Sequence, residues 1–379
     1  MDTLPHLTPV RMRRLRRTSS LRNLVAQNGL SPEHLVAPLF VRSGQDLRRP
    51  ILSMPGQFQF SPDVAVEEIK ELFSRGVQAF ILFGVTDSAQ KDACGTHAHD
   101  PNNAVCTTLR RIRDAGIDVV AMTDLCYCEY TSHGHCGPLI SPTAWPLDSS
   151  QGPAAGGRRK NKQSPAKKSA QNAAQQSPAG AGVASDSAQA TVDNDATVAQ
   201  LGQQAVLHAQ AGADVIAPSG MMDHAVLAVR KALDDAGFSD RCILSYAVKY
   251  ASSYYGPFRD AAESPPQFGD RRGYQMDFRR GPAEAIREAL LDVDEGADMV
   301  MVKPGVAYLD ILQQVAAAVD VPCATYQVSG EYAMFKAAAA AGFIDEQALV
   351  LETMYAFRRA GAAFVLTYYA GQIADWLGG

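Results

Sequence analysis

Short apolar runs recur along the chain, separated by stretches long enough for one helix and two turns. They are Val36–Val41, Ala79–Gly84, Asp118–Leu125, Asp214–Ser219, Cys242–Lys249, Asp298–Lys303, Pro322–Val328 and Ala362–Ala370. Each is apolar at nearly every position rather than at every second one. A strand with one face in water alternates, whereas a strand covered on both faces does not. The pattern therefore predicts parallel strands sandwiched by helices. Between the runs, Ala65–Arg75, Ala104–Asp114, Thr197–Gln210, His224–Asp235, Pro282–Glu295 and Tyr308–Val319 carry apolar residues at i, i+3 and i+4, the signature of one buried helix face. Glycines such as Gly212 and Gly361 follow the helical segments, as expected of a left-handed helix end. Helix, glycine, polar residue, strand is thus a repeated unit. Eight β/α units predict a (β/α)8 TIM barrel, with a doubly wound open sheet as the alternative.

Two stretches fall outside this rhythm. Residues 1–30 carry Arg11, Arg13, Arg14, Arg16 and Arg17 with no apolar segment after them, so they read as a basic arm and not a secretory signal. Asp2 and the short distance to the first strand weigh against an organelle address. Residues of about 149–193 are rich in Ala, Gln, Ser, Gly and Lys and lack aromatics. Such a segment cannot bury enough apolar surface to offset ordering entropy, so it is expected to be a disordered insertion in a barrel spanning 31–379. Its basic run, Arg158 to Lys168, reads as a solvated linker.

Composition narrows the function classes. The chain has 379 residues, is 46% hydrophobic and carries a formal charge of -5, which argues against nucleic acid or an anionic membrane as a partner. No apolar run reaches the roughly 18 residues needed to cross a bilayer. Seven cysteines, three of them clustered, in a long chain without a secretion signal read as reduced and metal-binding. A cytoplasmic location follows as the expectation.

The cysteine cluster reads Asp124-Leu-Cys126-Tyr-Cys128, then Thr-Ser-His133-Gly-His135-Cys136-Gly. It follows the third expected strand. In extended chain, positions i, i+2 and i+4 share a face, so Asp124, Cys126 and Cys128 should point together. Gly134 and Gly137 let Cys136 return to the same point. Three thiolates suit zinc, and three protein ligands leave the fourth position open, as catalytic sites do. His133 and His135 read as supporting donors or as a stand-in ligand.

Two lysines close adjacent apolar strands: Lys249 ends the fifth run and Lys303 the sixth. Packing gives no reason for a charge there. In a parallel barrel the strand ends form the active face, and neighbouring strands lie about 5 Å apart. Two ammonium groups that close repel by about 3 kcal/mol at an effective dielectric near 20. One lysine is then expected as a free amine near neutral pH, able to form a Schiff base with a carbonyl. Arg259 and Arg271, in the loop after Lys249, suit carboxylate recognition. Hydroxyls near the ends of the last two runs, among Ser329, Tyr332, Thr367, Tyr368 and Tyr369, suit a second carboxylate.

These stretches resemble the porphobilinogen synthase (5-aminolevulinate dehydratase) family. The likeness runs from Arg11 to Ala370, outside the insertion, and TSHGHCG, MVKPG and YQVSGEYAM are its specific motifs. The resemblance implies condensation of two 5-aminolevulinate molecules to porphobilinogen with loss of two waters. It implies that Lys303 forms the Schiff base with the first substrate and that Lys249 engages the second. It assigns Arg259, Arg271 and Gln275 to the second substrate's carboxylate, and Ser329 and Tyr368 to the first's. Asp124, Ser219, Tyr255 and Phe258 fall on active-site positions. Retention of Cys126, Cys128 and Cys136 implies the zinc-dependent type. Glu288 falls on the position of an allosteric magnesium ligand in some members, although a lone helical carboxylate is as readily just solvated. Family members assemble as homo-octamers through an N-terminal arm. The insertion departs from the family pattern where a lid covers the active site, and it is expected to be dispensable for catalysis. A lysine-dependent class I aldolase on the same barrel is the alternative; it leaves the cysteines and Lys249 without a task.

Overall fold

The structure is a computed structural model that describes residues 12–140 and 191–378. A short exposed helix, α1 (Ser19–Leu24), precedes β1 (Leu35–Arg42). A small antiparallel hairpin follows, β2 (Arg48–Pro50) and β3 (Phe58–Phe60), and then α2 (Pro62–Ser74). Next come β4 (Ala79–Val85), α3 (Ala104–Asp114), β5 (Val120–Leu125), β6 (Leu139–Ile140), β7 (Thr191–Val192) and α4 (Asn194–Ala211). The chain continues through β8 (Val215–Pro218), α5 (Ala225–Asp235), β9 (Cys242–Lys249), α6 (Gly256–Ala261), α7 (Pro282–Asp294), β10 (Met299–Lys303) and α8 (Leu309–Ala318). It ends with β11 (Cys323–Gln327), α9 (Ser329–Ala340), α10 (Glu346–Arg359), β12 (Phe364–Thr367) and α11 (Ala370–Gly378).

Eight strands pair in parallel in the order β1-β4-β5-β8-β9-β10-β11-β12. β12 then pairs with β1, Leu35 opposite Val365 and Val36 opposite Leu366, so the sheet closes and the open-sheet alternative is excluded. β4 and β9 are buried almost throughout, which is why their sequences do not alternate. The repeated turn has a physical basis at Gly212. Its φ of 110° lets the Ala213 amide bond back to the His208 carbonyl and end α4. The acid that follows caps a neighbouring strand: Asp214 Oδ2 accepts from the Ala121 amide at 2.8 Å, and Asp298 Oδ2 from the Ile243 amide at 2.7 Å. These bonds fix strand starts at the N-terminal end of the barrel.

Several expected boundaries change. Residues 1–11 of the arm and 141–190 of the insertion lie outside the described residues. The insertion was expected to run to residue 193, but Thr191 and Val192 form β7, which makes a two-stranded sheet with β6. Asp193 caps α4 through the Ala196 amide. β-branched residues and an acidic helix cap supply local order that the preceding composition lacks. The last strand stops at Thr367 rather than Ala370, because Ala370 already starts α11. The β2–β3 hairpin and α9 to α11 were not anticipated.

Candidate active site

The C-terminal ends of the barrel strands line a cavity, open to solvent on one side, with about 470 Å³ of empty space. β9 and β10 run in register there, with Lys249 directly opposite Lys303. A slip in that register shapes the site. Val300 pairs with Ser245, but Val302 pairs with Val248, so β9 advances three residues while β10 advances two. With strict alternation Tyr246 and Lys249 would face opposite sides; the extra residue puts the Tyr246 ring on the same side as the amines. The Tyr246 ring centre lies 5.4 Å from Lys249 Nζ and 4.9 Å from Lys303 Nζ.

The two amines have different surroundings. Lys249 Nζ donates to the Ser219 carbonyl at 2.5 Å. Lys303 Nζ faces rings: Tyr326 at 4.3 Å, Tyr246 at 4.9 Å, Phe258 at 5.4 Å and Tyr255 at 5.5 Å. Burial, with the Lys249 ammonium second, pushes the Lys303 amine down to about 7. Both causes favour the neutral, nucleophilic amine. Asp124, at the end of β5, lines the same cavity. Burial lifts its acid to about 6 against the pull of Lys249, and Oδ1 has no partner.

The cysteines meet by a different route from the expected one. β5 stops at Leu125, and the Tyr127 carbonyl accepts from the amides of Tyr130 and Thr131, so the chain turns instead of continuing extended. Thr131 Oγ1 then holds the His135 carbonyl at 2.8 Å. The sulfurs of Cys126, Cys128 and Cys136 end within 4.8 Å of one another, all buried, with Cys126 and Cys128 3.4 Å apart. All three are free thiols. Hydrogen bonds from Cys126 and Cys128 hold the Cys136 thiol well below its ordinary range. Such a cluster could hold a metal ion. Asp124, Cys126 and Glu129 form a second, overlapping group.

His133 and His135 do not join it. His133 Nε2 donates to the Ala93 carbonyl and Nδ1 accepts from the His135 amide. His135 Nε2 donates to the Phe268 carbonyl, and Nδ1 accepts from Tyr274 Oη. Both rings are held neutral by burial and have no lone pair left for an ion. They are supports, not ligands.

The anion-binding candidates follow the same turn. Arg259, in α6, and Arg271 line the cavity. Arg271 Nη2 donates to the Gly134 carbonyl at 2.8 Å, but its buried Nε has no partner. Gln275 lies one turn on, behind the lining, with its buried Nε2 also free. Two orphaned donors on one turn are what a carboxylate would complete. On the other side, Tyr326 Oη donates to Tyr368 Oη at 2.9 Å, leaving the Tyr368 proton for the cavity. Ser329 Oγ accepts from the Phe258 amide at 2.9 Å. Ser219 and Tyr255 also line the cavity. Glu288 does not: it sits on α7, half-buried, and belongs to neither metal-capable group. Sequence reasoning missed Phe83, Glu129, Tyr246, Tyr326 and Val328. Inside apolar strands Phe83 and Tyr326 read as core, and Tyr246 becomes visible only once the register slip is known.

A family model described as "Delta-aminolevulinic acid dehydratase" matches residues 9–187 and 176–376. The chain is 45% identical over 368 residues to the delta-aminolevulinic acid dehydratase of Synechocystis, covering 97% of this chain and 98% of that one. It is 44% identical over 378 residues to the Mycobacterium tuberculosis protein of the same name, covering 100% and 99%. The crystal structure of the Toxoplasma gondii porphobilinogen synthase, in complex with its reaction product porphobilinogen, superposes with a TM-score of 0.82 at 39% identity, covering 97% of this chain and 92% of that one.

Proposed function

The chain belongs to the delta-aminolevulinic acid dehydratase family, and on that premise we propose how its residues carry the reaction. The enzyme is a lyase that condenses two molecules of 5-aminolevulinate into porphobilinogen, with loss of two waters. The observation that carries the reading is the register pair: two buried amines opposite each other in one cavity.

Lys303 as free amine attacks the ketone of the first substrate, and the ketone oxygen leaves as water when the iminium forms. Lys249 captures the second ketone in the same way, so imine formation accounts for both waters. The iminium draws electrons, which lets the adjacent carbon release a proton and attack. The lysines depart as amines when the ring closes. Asp124, with its acid near 6 and a free oxygen, can accept or return a proton at these carbons. The aromatic faces around Lys303 favour a bound iminium cation, which is larger and less hydrated than an ammonium. Arg259, Arg271 and Gln275 hold the second substrate's carboxylate, and Ser329 and Tyr368 hold the first's. Ser219, Tyr255 and Phe258 complete the walls. Fixing both substrates in register contributes several kcal/mol through proximity.

The metal is zinc, held by Cys126, Cys128 and Cys136. Tetrahedral zinc–sulfur bonds of about 2.3 Å put sulfurs about 3.8 Å apart, near the 3.4 Å between Cys126 and Cys128. When bound, it would supply Lewis-acid polarisation of a substrate oxygen or amine. An allosteric magnesium at Glu288 rests on the resemblance alone: burial and then Asp223, Glu284 and Glu295 lift its acid above the ordinary range, and among the described residues no metal-capable group includes it. The assembly is a homo-octamer joined by the arm, on which Met12 and Leu24 are 67% and 79% exposed. Among the described residues no helix is long and apolar enough to cross a membrane. The cytoplasm is the compartment we propose, on the reduced, clustered cysteines. A class I aldolase reading is not favoured, because Lys249 and the cysteine trio would then have no task.

The test is incubation with 5-aminolevulinate. Porphobilinogen should form, stop on chelation and resume with zinc, and borohydride should fix substrate carbon on Lys303. Labelling by sugar phosphates alone, or at neither lysine, overturns the reading.

A further inference from the structure

The first turn of α9 joins three pieces of the site. Its carboxylate residue, Glu331, is 2% exposed and is not part of the active-site lining. Glu331 Oε1 accepts from the Val306 amide at 2.8 Å, in the loop three residues beyond Lys303. Oε2 accepts from the Val328 amide at 2.9 Å, at the end of β11. Two residues earlier in the same turn, Ser329 Oγ accepts from the Phe258 amide, at the start of α6. Gly330 fits this junction because it has no Cβ; one would lie 2.5 Å from the Tyr254 carbonyl oxygen. Gly305, between Lys303 and Val306, is equally tight: a Cβ there would lie 2.7 Å from the Phe357 ring. The loop leaving Lys303 is thus wedged on one side and tied by a carboxylate on the other.

A buried carboxylate is costly unless something needs it. Burial lifts the Glu331 acid to about 7 even though the surrounding backbone amides pull it down. Neither of its bonds goes to a group that reacts. Both go to backbone that carries Lys303 on one strand and Ser329 on the next. Those two side chains are assigned above to the two ends of the same substrate, the ketone and the carboxylate. Their separation must match the length of one keto acid, and a shift of about an ångström at such a site costs a large factor in rate.

We infer that Glu331 is a positioning residue that sets the spacing between Lys303 and Ser329, and so makes the first site selective for a keto acid over a plain ketone. The inference rests on the proposed roles of Lys303 and Ser329. It predicts a selective defect. Glu331→Gln keeps the shape but turns an N–H donor toward one of the two backbone amides, so one bond is lost and its tie slackens. Imine formation with a ketone that lacks a carboxylate does not use the spacing and should be unaffected.

The experiment traps imines with borohydride on the full-length enzyme and quantifies labelled Lys303 peptide. Two probes are compared, levulinate and 2-pentanone. Wild type should prefer levulinate strongly. Glu331→Gln should lose about tenfold or more of that preference, as a lost bond to a charged group allows, while trapping of 2-pentanone stays within about twofold of wild type. Ser329→Ala should produce the same selective loss. A fall of both probes together in Glu331→Gln, or an undiminished levulinate preference, overturns the inference. If wild type is not labelled at Lys303 at all, the lysine assignment itself fails, and the inference with it.

Discussion

The two ends of the barrel hold their polar groups differently. At the N-terminal end, the acids that start the strands are spent on the scaffold. Asp214 accepts from the Ala121 amide and from Arg113, and Asp298 from the Ile243 amide. At the C-terminal end, Asp124 Oδ1, Glu129 Oε1, Tyr246 Oη, Arg271 Nε and Gln275 Nε2 are buried with no partner in the chain. Buried polar groups ordinarily find partners. Buried groups left incomplete around one cavity point to what binds there. The strand-start acids at one end are tied into the scaffold, and the cavity at the other end is bordered by groups with bonds still to make.

Breaking the open end should have the largest effect. Lys303→Met removes the amine that forms the first imine, and turnover should fall by about 10³-fold or more. Thermal unfolding should not worsen, since a buried amine is replaced by an apolar chain of similar length. A smaller loss should follow Gln275→Leu. Without that donor the second carboxylate loses one bond, so KM should rise about tenfold with kcat changed much less. Steady-state kinetics separates the two outcomes. At the tied end the effect reverses in kind. Asp214→Ala should cost about 1–3 kcal/mol of stability, a few degrees in Tm by calorimetry, and leave kcat per folded molecule unchanged. A kinetic defect there would break the comparison. Removal of residues 149–189 should matter least, changing turnover by less than about tenfold, because that composition offers no packing surface.

The same contrast explains what could be read from the chain. Doubly buried strands have no polar phase, so the apolar runs stood out, and the barrel followed from their number and spacing. Lys249 and Lys303 were visible because a charge closing an apolar run has no packing reason. The cysteines were visible as a cluster, but not the turn at Tyr127–Thr131 that gathers them, since it depends on backbone bonds rather than side-chain pattern. Tyr246 was hidden by the slip on β9, where two-residue alternation fails. Glu331 was hidden as well: in Ser-Gly-Glu-Tyr it looks like an ordinary first-turn helix acid, and only the fold shows the Val306 amide above it. The β2–β3 hairpin carries two arginines and a proline in its first strand and so gave no strand signal. Fold was legible through period, chemistry through misplaced charge, and positioning hardly at all, because it resides in contacts between distant segments.

Confinement beside a second lysine holds Lys303 as a reactive amine near neutral pH. It is tested most directly by the pH dependence of levulinate trapping at Lys303, followed by peptide mass spectrometry from about pH 5 to 10, a window that spans the ordinary and the lowered amine ranges. Below its pKa the amine is an ammonium and cannot attack, so trapping must rise as pH climbs. The account predicts a midpoint near 7. A midpoint near the ordinary lysine value of about 10.4 would contradict it.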